Sequence, residues 1–412
     1  MKTEEPFAYE EDTSPSRDRG PNVAWQRPRG RSYLLKASYR QISLSELYDL
    51  TEAGARDYLA CVRWGSLGDG VQACPRCSSV SSHYRCESIG GWKCREKLCG
   101  KQFTVLSGTR LHGMKMPAKT ILSILFHFVE AKDSISARQM SGLHDFAHQT
   151  IYVLGMKMRE ALRETQSAEP KLTGYVQADA AYFIKYVRPG NHGNGAANTG
   201  KNDQKNAGLD ENAKTKNTVS PNMHALVVFA QAGQQGFRHY KVAMVKTETA
   251  VDMRRLSLDF CDENAALVTD QHGAYNVFSA DFDNHLQVNH SQEFQTEDGI
   301  NTNLVELVFS RIRAATRGAW HRMSIQHLEE YGWEFAWRQT MVGRSNLEQL
   351  EDLMRRVLTS GRPTRFVDYW QKRPETEPPR LEEVGALVEV SKQEVKKRRG
   401  RPSAGTANRK RR

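Results

Sequence analysis

What this 412-residue chain lacks narrows its identity first. Its most apolar run, Ile121–Val129, is less than half the roughly 20 residues that a membrane-spanning helix needs. The opening residues, MKTEEPFAYEEDTSPSRDRG, are charged and polar, without the apolar stretch of a secretory leader. Cysteine is scarce and odd in number: there are seven, and Cys61, Cys86 and Cys261 show no pairing pattern. That usage argues against a secreted disulfide framework and suits a reducing interior with a metal site. No internal repeat is visible. These absences predict a soluble intracellular protein with no membrane partner, long enough for two or three domains with ordinary cores.

Acidic residues are outnumbered, 48 against 59 Lys and Arg, for a formal net charge of +11. The excess is local. From Lys392 to Arg412 ten basic residues accompany a single acid, Glu394, so this tail carries +9 and the body only +2. Attraction to a polyanion is partly delegated to the tail, and any basic groove on the body is balanced by acids elsewhere.

Four cysteines in two close pairs carry the strongest positive signal: Cys74-Pro-Arg-Cys77 and Cys94-Arg-Glu-Lys-Leu-Cys99. A thiolate pair closed by a short turn grips half of a tetrahedral zinc site, and the second pair supplies the other half. The stretch between them has room for a strand, a turn and a strand. This predicts a zinc ribbon holding structural Zn²⁺ through Cys74, Cys77, Cys94 and Cys99. The second pair is wider than the first, and Cys86 between them can compete as a ligand. Unmetallated core cysteines are the plainer alternative.

Residues 1–33, rich in proline and charge, are expected to be disordered. Ser43 followed by Glu46 forms a capping-box signature ahead of Leu44, Leu47, Tyr48 and Leu50 at helical spacing. That helix and the ribbon make a unit over 34–110, with Phe103, Val105 and Leu106 in its last strand. Residues 111–168 are helical: AKTILSILFHFVEA forms one helix, then SARQMSGLHDFAHQTIYVLGMKMREAL reads as helix, Gly142 turn, helix, with Ser136 as cap. As a helix-turn-helix it would offer His148, Gln149 and Tyr152 to a major groove; as a plain helical hairpin it would not. From 169 to 345 apolar strands alternate with helices, the signature of an α/β layer, interrupted by a Gly/Asn/Lys insert at 188–218 expected to be mobile. Thr247 can cap one of the helices. A C-terminal helix over 346–372 and a linker with basic tail over 373–412 complete the chain. Trp333, Phe335 and Trp337 are read as core.

Three acids stand out in this second half. Asp179, inside YVQADAAYF, is expected at the end of an apolar strand, and Asp270 closes AALVTD before the polar turn QHGAY. An aspartate closing a hydrophobic strand lies at a sheet edge, where several such carboxylates can converge. Glu306 lies on a helix whose apolar face is Leu304, Val305, Val308, Phe309 and Ile312. Its polar stripe is Asn303, Glu306, Ser310 and Arg313. Each acid alone is equally a solvated surface residue; the three in this order are far more specific.

From Ser43 to Arg338 the chain resembles a DDE transposase of a bacterial insertion sequence, the group with a zinc ribbon ahead of an RNase H-like catalytic core. The residues that carry the resemblance are CVRW, CPRC, GKQFTVLSGT, ADAAYF, VTDQHGAY, VNHS at Val288–Ser291 and TNLVE with FS beyond it. It implies a multidomain α+β fold: a helix and ribbon, a helix-turn-helix, then an RNase H-like α/β domain with C-terminal helices. It implies that Asp179, Asp270 and Glu306 are the catalytic triad and hold Mg²⁺ or Mn²⁺. Asn303, Arg313 and His290 are their supporting neighbours, with arginine where the family more often has lysine. The implied partner is double-stranded DNA, both the element's end repeats and target DNA, gripped by a homodimer or higher oligomer in a bacterial cytoplasm, at the nucleoid. Three departures stand: the wide second cysteine pair, Ala180-Ala181 where Glu-Thr is common, and the long insert. The other readings are a catalytically idle DNA-binding regulator and a metal-dependent nuclease without strand transfer. In the tail, Arg399-Gly400-Arg401-Pro402 is similar to an AT-hook core fitting a narrow minor groove. A generic polybasic arm is the alternative.

Overall fold

The computed structural model describes residues 34, 36–65, 70–184, 223–233, 238–288, 302–320 and 323–366. The expectations for 1–33, 188–218 and 373–412, and for His290, Arg399 and Arg401, lie outside the described residues.

Helix α1 (Leu44–Asp49) starts in the expected capping box, with the Ser43 side chain accepting the Glu46 N–H and the Glu46 carboxylate accepting the Ser43 N–H. Helix α2 (Glu52–Trp64) follows and stops at Gly65, whose φ of +72° only glycine adopts without strain. The ribbon contains two small antiparallel sheets, β1 (Gln72–Ala73) with β2 (Val80–Ser81), and β3 (Tyr84–Cys86), β4 (Gly91–Lys93) and β5 (Gln102–Phe103). The last strand is shorter than the apolar pattern suggested. Val105 and Leu106 fall in the turn after it, where the guanidinium of Arg63 donates to the Val105 carbonyl at 2.7 Å.

Three helices come next: α3 (Ala118–Glu130), α4 (Ala137–His144) and α5 (His148–Ser167). Ser136 caps α4 as expected, with Gln139 completing the box. The turn is not at Gly142, which lies inside α4; it is made by Asp145–Ala147, with Asp145 left-handed at φ +53°. A single glycine costs a helix only about 1 kcal/mol, too little to end one.

The second half is built on β6 (Tyr175–Ile184), β7 (Met223–Ala232), β8 (Arg238–Val245), α6 (Ala250–Phe260), β9 (Ala266–Asp270), β10 (His285–Val288), α7 (Asn303–Arg317), α8 (Leu328–Thr340) and α9 (Asn346–Thr359). Thr249, not Thr247, caps α6. The strands lie in the order β10-β9-β6-β7-β8: β6, β7 and β8 form an antiparallel meander, while β9 and β10 add in parallel on the other side of β6. This is the mixed sheet of an RNase H-like core. Period-two alternation splits β6 between two packed faces. Val176, Ala178, Ala180 and Tyr182 meet the α6 side with Phe229, Met253 and Phe278, whereas Ala181 and Phe183 meet the α7 and α8 side with Val305, Val308 and Trp333.

Helix α9 does not extend the sheet domain. Its Leu350, Leu353, Met354 and Val357 share a core with α2, α3, α5 and the ribbon's Trp92 and Phe103. Trp333, Phe335 and Trp337 are buried, as their apolar setting suggested. Buried charges join the two halves: Arg159 on α5 donates to Glu334 on α8 at 2.6 Å, and Arg338 donates to the same carboxylate at 2.8 Å and to the Phe128 carbonyl at 2.6 Å. Removing one member of such a set strands a charge in the interior, a cost of about 3–5 kcal/mol. Among the described residues no helix is long and apolar enough to cross a membrane.

Candidate active site

The ribbon's four cysteines converge. The Sγ atoms of Cys74, Cys77, Cys94 and Cys99 all lie within 4.8 Å of one another, with Cys74–Cys99 at 3.8 Å and Cys77–Cys94 at 3.6 Å. Zn–S bonds of about 2.3 Å put the corners of a tetrahedron about 3.8 Å apart, so the set fits Zn²⁺. Burial pushes the Cys74 thiol up, but the N–H groups of Cys77 and Arg76 outweigh it and bring it down to about 7, whereas burial pushes Cys94 up to about 12. A cation among the four sulfurs would favour the thiolate form of each. Cys86 stays out: its sulfur faces Ser88 Oγ at 3.5 Å and accepts from Gln102 Nε2 at 3.9 Å. The wide second pair is accommodated by a shifted turn. The Glu96 carbonyl accepts the N–H groups of Cys99 and Gly100, the part that the Cys74 carbonyl plays for Ser78 in the first knuckle. The hairpin then closes at Cys94 N to the Lys101 carbonyl, 2.8 Å, two residues further out than in the first.

In the sheet domain β6 supplies Asp179, which is the fifth of its ten residues and not at its end as the apolar pattern suggested, because pairing with β7 carries the strand on to Ile184. The parallel register of β6 with β9 pairs Tyr175, Val176 and Gln177 with Ala266, Leu267 and Val268. The pairing ends there, and Asp179 and Asp270 each lie two residues further along their own strands. Alternation turns Gln177 and Asp179 to the face that α7 covers. There Gln177 Oε1 accepts the Leu304 N–H at 2.8 Å, fixing the first turn of α7 two residues along the strand from Asp179. Glu306 belongs to that turn, and Thr302 Oγ1 donates to its Oε1 at 3.4 Å. Asn303, Glu306, Ser310 and Arg313 are all exposed, the polar stripe opposite the buried face, and the Arg313 guanidinium lies 5.9 Å over the Phe309 ring.

The electrostatics tie these acids together. Burial is the largest influence on Asp179; the Ala180 N–H, 2.7 Å from its Oδ1, opposes it, and the charges of Asp270, Glu248 and Glu306 reinforce it. The result is a carboxyl pushed up to about 7. A site that holds an aspartate protonated near neutral pH is short of positive charge, and hard oxygen donors fit Mg²⁺ or Mn²⁺. Among the described residues the four cysteines are the one group that brings three or more such ligand atoms within 4.8 Å of one another. The acids thus stand wider than a cage for a single ion.

Glu248 is the functional candidate that the sequence reading missed. It follows β8, which ends on the same sheet edge as β9, so the rule that singled out Asp270 (an acid just beyond an apolar strand) applies to it equally. Tyr275 Oη donates to its Oε2 at 3.2 Å, His272 Nδ1 lies 3.6 Å from the same oxygen, and its own N–H donates to Tyr182 Oη at 3.2 Å.

At the start of α5, His148 and Gln149 are exposed, while Tyr152 is half-buried with its ring stacked on His148 at 6.3 Å and an interplanar angle of 17°. The turn ahead of them and the buried Ile151 and Leu154 behind them fix this end of the helix against α4.

Residues 171–340 match the family described as ISXO2-like transposase domain, and residues 50–102 match the transposase zinc-ribbon domain. No curated protein matches the sequence. Among solved structures the chain is similar to the "Crystal structure of the Mos1 Strand Transfer Complex", at 12% identity over 59% of this chain and 78% of that one, with a TM-score of 0.22. It is also similar to the "Crystal structure of the Mos1 mariner paired end complex with Mn", at 13% identity over 57% and 78%, with a TM-score of 0.21. Superpositions this slight carry no argument about the present chain.

Proposed function

We propose that this chain, whose residues 171–340 and 50–102 match an ISXO2-like transposase domain and a transposase zinc-ribbon domain, binds its element's end repeats in double-stranded DNA and carries out metal-dependent cleavage and strand transfer. The observation that supports this most is that Asp179 and Asp270 each follow the last β6–β9 pair by two residues, on the adjacent strands at the middle of the sheet, with the first turn of α7 clasped beside them by Gln177.

In this reading Asp179, Asp270 and Glu306 would together hold Mg²⁺ or Mn²⁺, which would activate the attacking water and stabilise the departing 3′-oxygen. The protein's own part is placement. Asp179 releases its proton as it takes up a ligand role. Glu306 reaches the edge from a helix fixed at Leu304. Arg313, two turns along the same stripe, holds a DNA phosphate with its planar fork, and Asn303 orients the backbone beside Glu306. Water attack frees the element's 3′-hydroxyl, which then attacks the target in line. His148 and Gln149, with Tyr152 behind them, read the end repeat in the major groove, and the ribbon steadies the complex. A homodimer or higher oligomer brings two ends together. The basic tail with Arg399 and Arg401 adds affinity that salt screens away.

The test is an in vitro reaction with labelled element ends, Mg²⁺ and a target plasmid. Joined products are expected. Nicks without joining identify a nuclease, and gel shifts without either identify a regulator. Asp179→Ala is expected to abolish joining while leaving end binding nearly intact.

A further inference from the structure

Glu248 belongs to none of the motifs that mark the triad, yet it is held against the same centre from three sides. Its side chain is only 9% exposed although it lies in the connection between β8 and α6. Tyr275 Oη donates to Oε2 at 3.2 Å and His272 Nδ1 lies 3.6 Å away; both residues sit in the turn that follows Asp270. The third contact is to β6 itself, where Tyr182 Oη accepts the Glu248 N–H three residues beyond Asp179. The turn in question controls Asp270 directly, because the His272 N–H donates to Asp270 Oδ1 at 3.2 Å. The chain of hydrogen bonds therefore runs from the Glu248 carboxylate to Tyr275, from the Tyr275 N–H to the His272 carbonyl at 3.0 Å, and from the His272 N–H to a triad oxygen.

We propose that Glu248 is a positioning residue of the metal centre, clamping the His272–Tyr275 turn so that the Asp270 carboxylate faces Asp179. This rests on the reading of Asp179, Asp270 and Glu306 as cation ligands. Groups that orient a ligand from outside typically govern about 10- to 100-fold of metal affinity. The geometry also says what the clamp needs. Tyr275 donates, so any acceptor at position 248 serves, and glutamine retains one where alanine does not.

Mn²⁺ binding to the zinc-loaded full chain, read by electron paramagnetic resonance of free Mn²⁺ without DNA, separates the cases. Glu248→Ala and Tyr275→Phe are each expected to weaken Mn²⁺ binding about tenfold or more. Glu248→Gln is expected to recover most of the loss, and melting curves verify that all variants are folded. Asp179→Asn serves as the control and is expected to lose binding outright. If Asp179→Asn loses Mn²⁺ while Glu248→Ala binds like the parent, the clamp is wrong and the triad stands. A Glu248→Gln variant as weak as Glu248→Ala also overturns it, since charge rather than placement is then what matters. If Asp179→Asn binds normally, the cation centre itself is misread and the clamp falls with it.

Discussion

Asp179 concentrates the conflict between stability and chemistry in this protein. Its carboxyl is pushed up to about 7 by burial and by the charges of Asp270, Glu248 and Glu306. A carboxyl raised in the folded state binds its proton more tightly there than in the unfolded chain. Below the unfolded value near 3.8 nothing is lost; as pH rises from there through about 7, metal-free stability falls. Asp179→Asn removes that penalty. Without divalent metal at pH 8 it is expected to melt higher than the parent, by a stability gain of more than about 1 kcal/mol, and at pH 4 to melt alike. Thermal melts at the two pH values check this, and the same variant is expected to be dead in strand joining. A residue whose loss stabilises the fold and destroys the reaction is there for the reaction.

Two elements hold the site together, and each can be loosened separately. Gln177 clasps α7 through a buried hydrogen bond to Leu304 N. Gln177→Ala strands that N–H and is expected to cost about 1–3 kcal/mol by chemical denaturation. It should also slow joining while leaving end binding unchanged, because Glu306 loses its fixed position. The ribbon depends on its four thiolates. Its aromatics reach into the core shared with the helices, with Trp92 edge-on to Trp64 at 5.2 Å and stacked on Phe103 at 6.0 Å. Chelation of zinc is expected to melt it, read as a red shift of the Trp64 and Trp92 fluorescence, with recovery on zinc addition. A ribbon that keeps its fluorescence without metal would contradict the zinc assignment. Much at this scale was legible. Capping residues Ser43 and Ser136, the alternation of β6 and the apolar face of α7 are local patterns, and local patterns survive folding. The Gly142 turn, the long last ribbon strand and the Thr247 cap were misread for the opposite reason. Each was decided by neighbours: Asp145 in the left-handed region, Arg63 on the Val105 carbonyl, and Thr249 offering its hydroxyl to Asp252.

Over the whole molecule, sequence order and spatial order diverge. Helix α9 returns to the N-terminal helices, and Asn346 fastens it there: its Oδ1 accepts the N–H groups of Gln41 and Ile42 at 2.9 and 3.2 Å, and its Nδ2 donates to the Ile42 carbonyl and to Glu130. Asn346→Ala leaves two backbone donors and two acceptors, the Ile42 carbonyl and the Glu130 carboxylate, without this partner. It is expected to lower the unfolding free energy by about 2 kcal/mol or more and to weaken end binding along with joining, since both depend on the N-terminal unit. No periodicity in the sequence announces a contact between positions 42 and 346. Glu248 carried the same local signal as Asp270, an acid just beyond an apolar strand; what the sequence did not show was its contacts with Tyr182 and Tyr275, one before it and one after it in the chain. The three acids were readable from their apolar elements and, as a set, from the resemblance; the mid-strand place of Asp179 was not, since it depends on pairing with β7.

The account turns on carboxylates from β6, β9 and α7 sharing cations. Crystals of the full chain soaked in Mn²⁺, with data collected at the manganese edge, address this most directly. The expected map has two anomalous peaks about 3.5–4 Å apart, with Asp179 touching both and Asp270 and Glu306 one each. Peaks confined to the cysteine cluster, or a Glu306 side chain turned away from ions bound at Asp179 and Asp270, would contradict it.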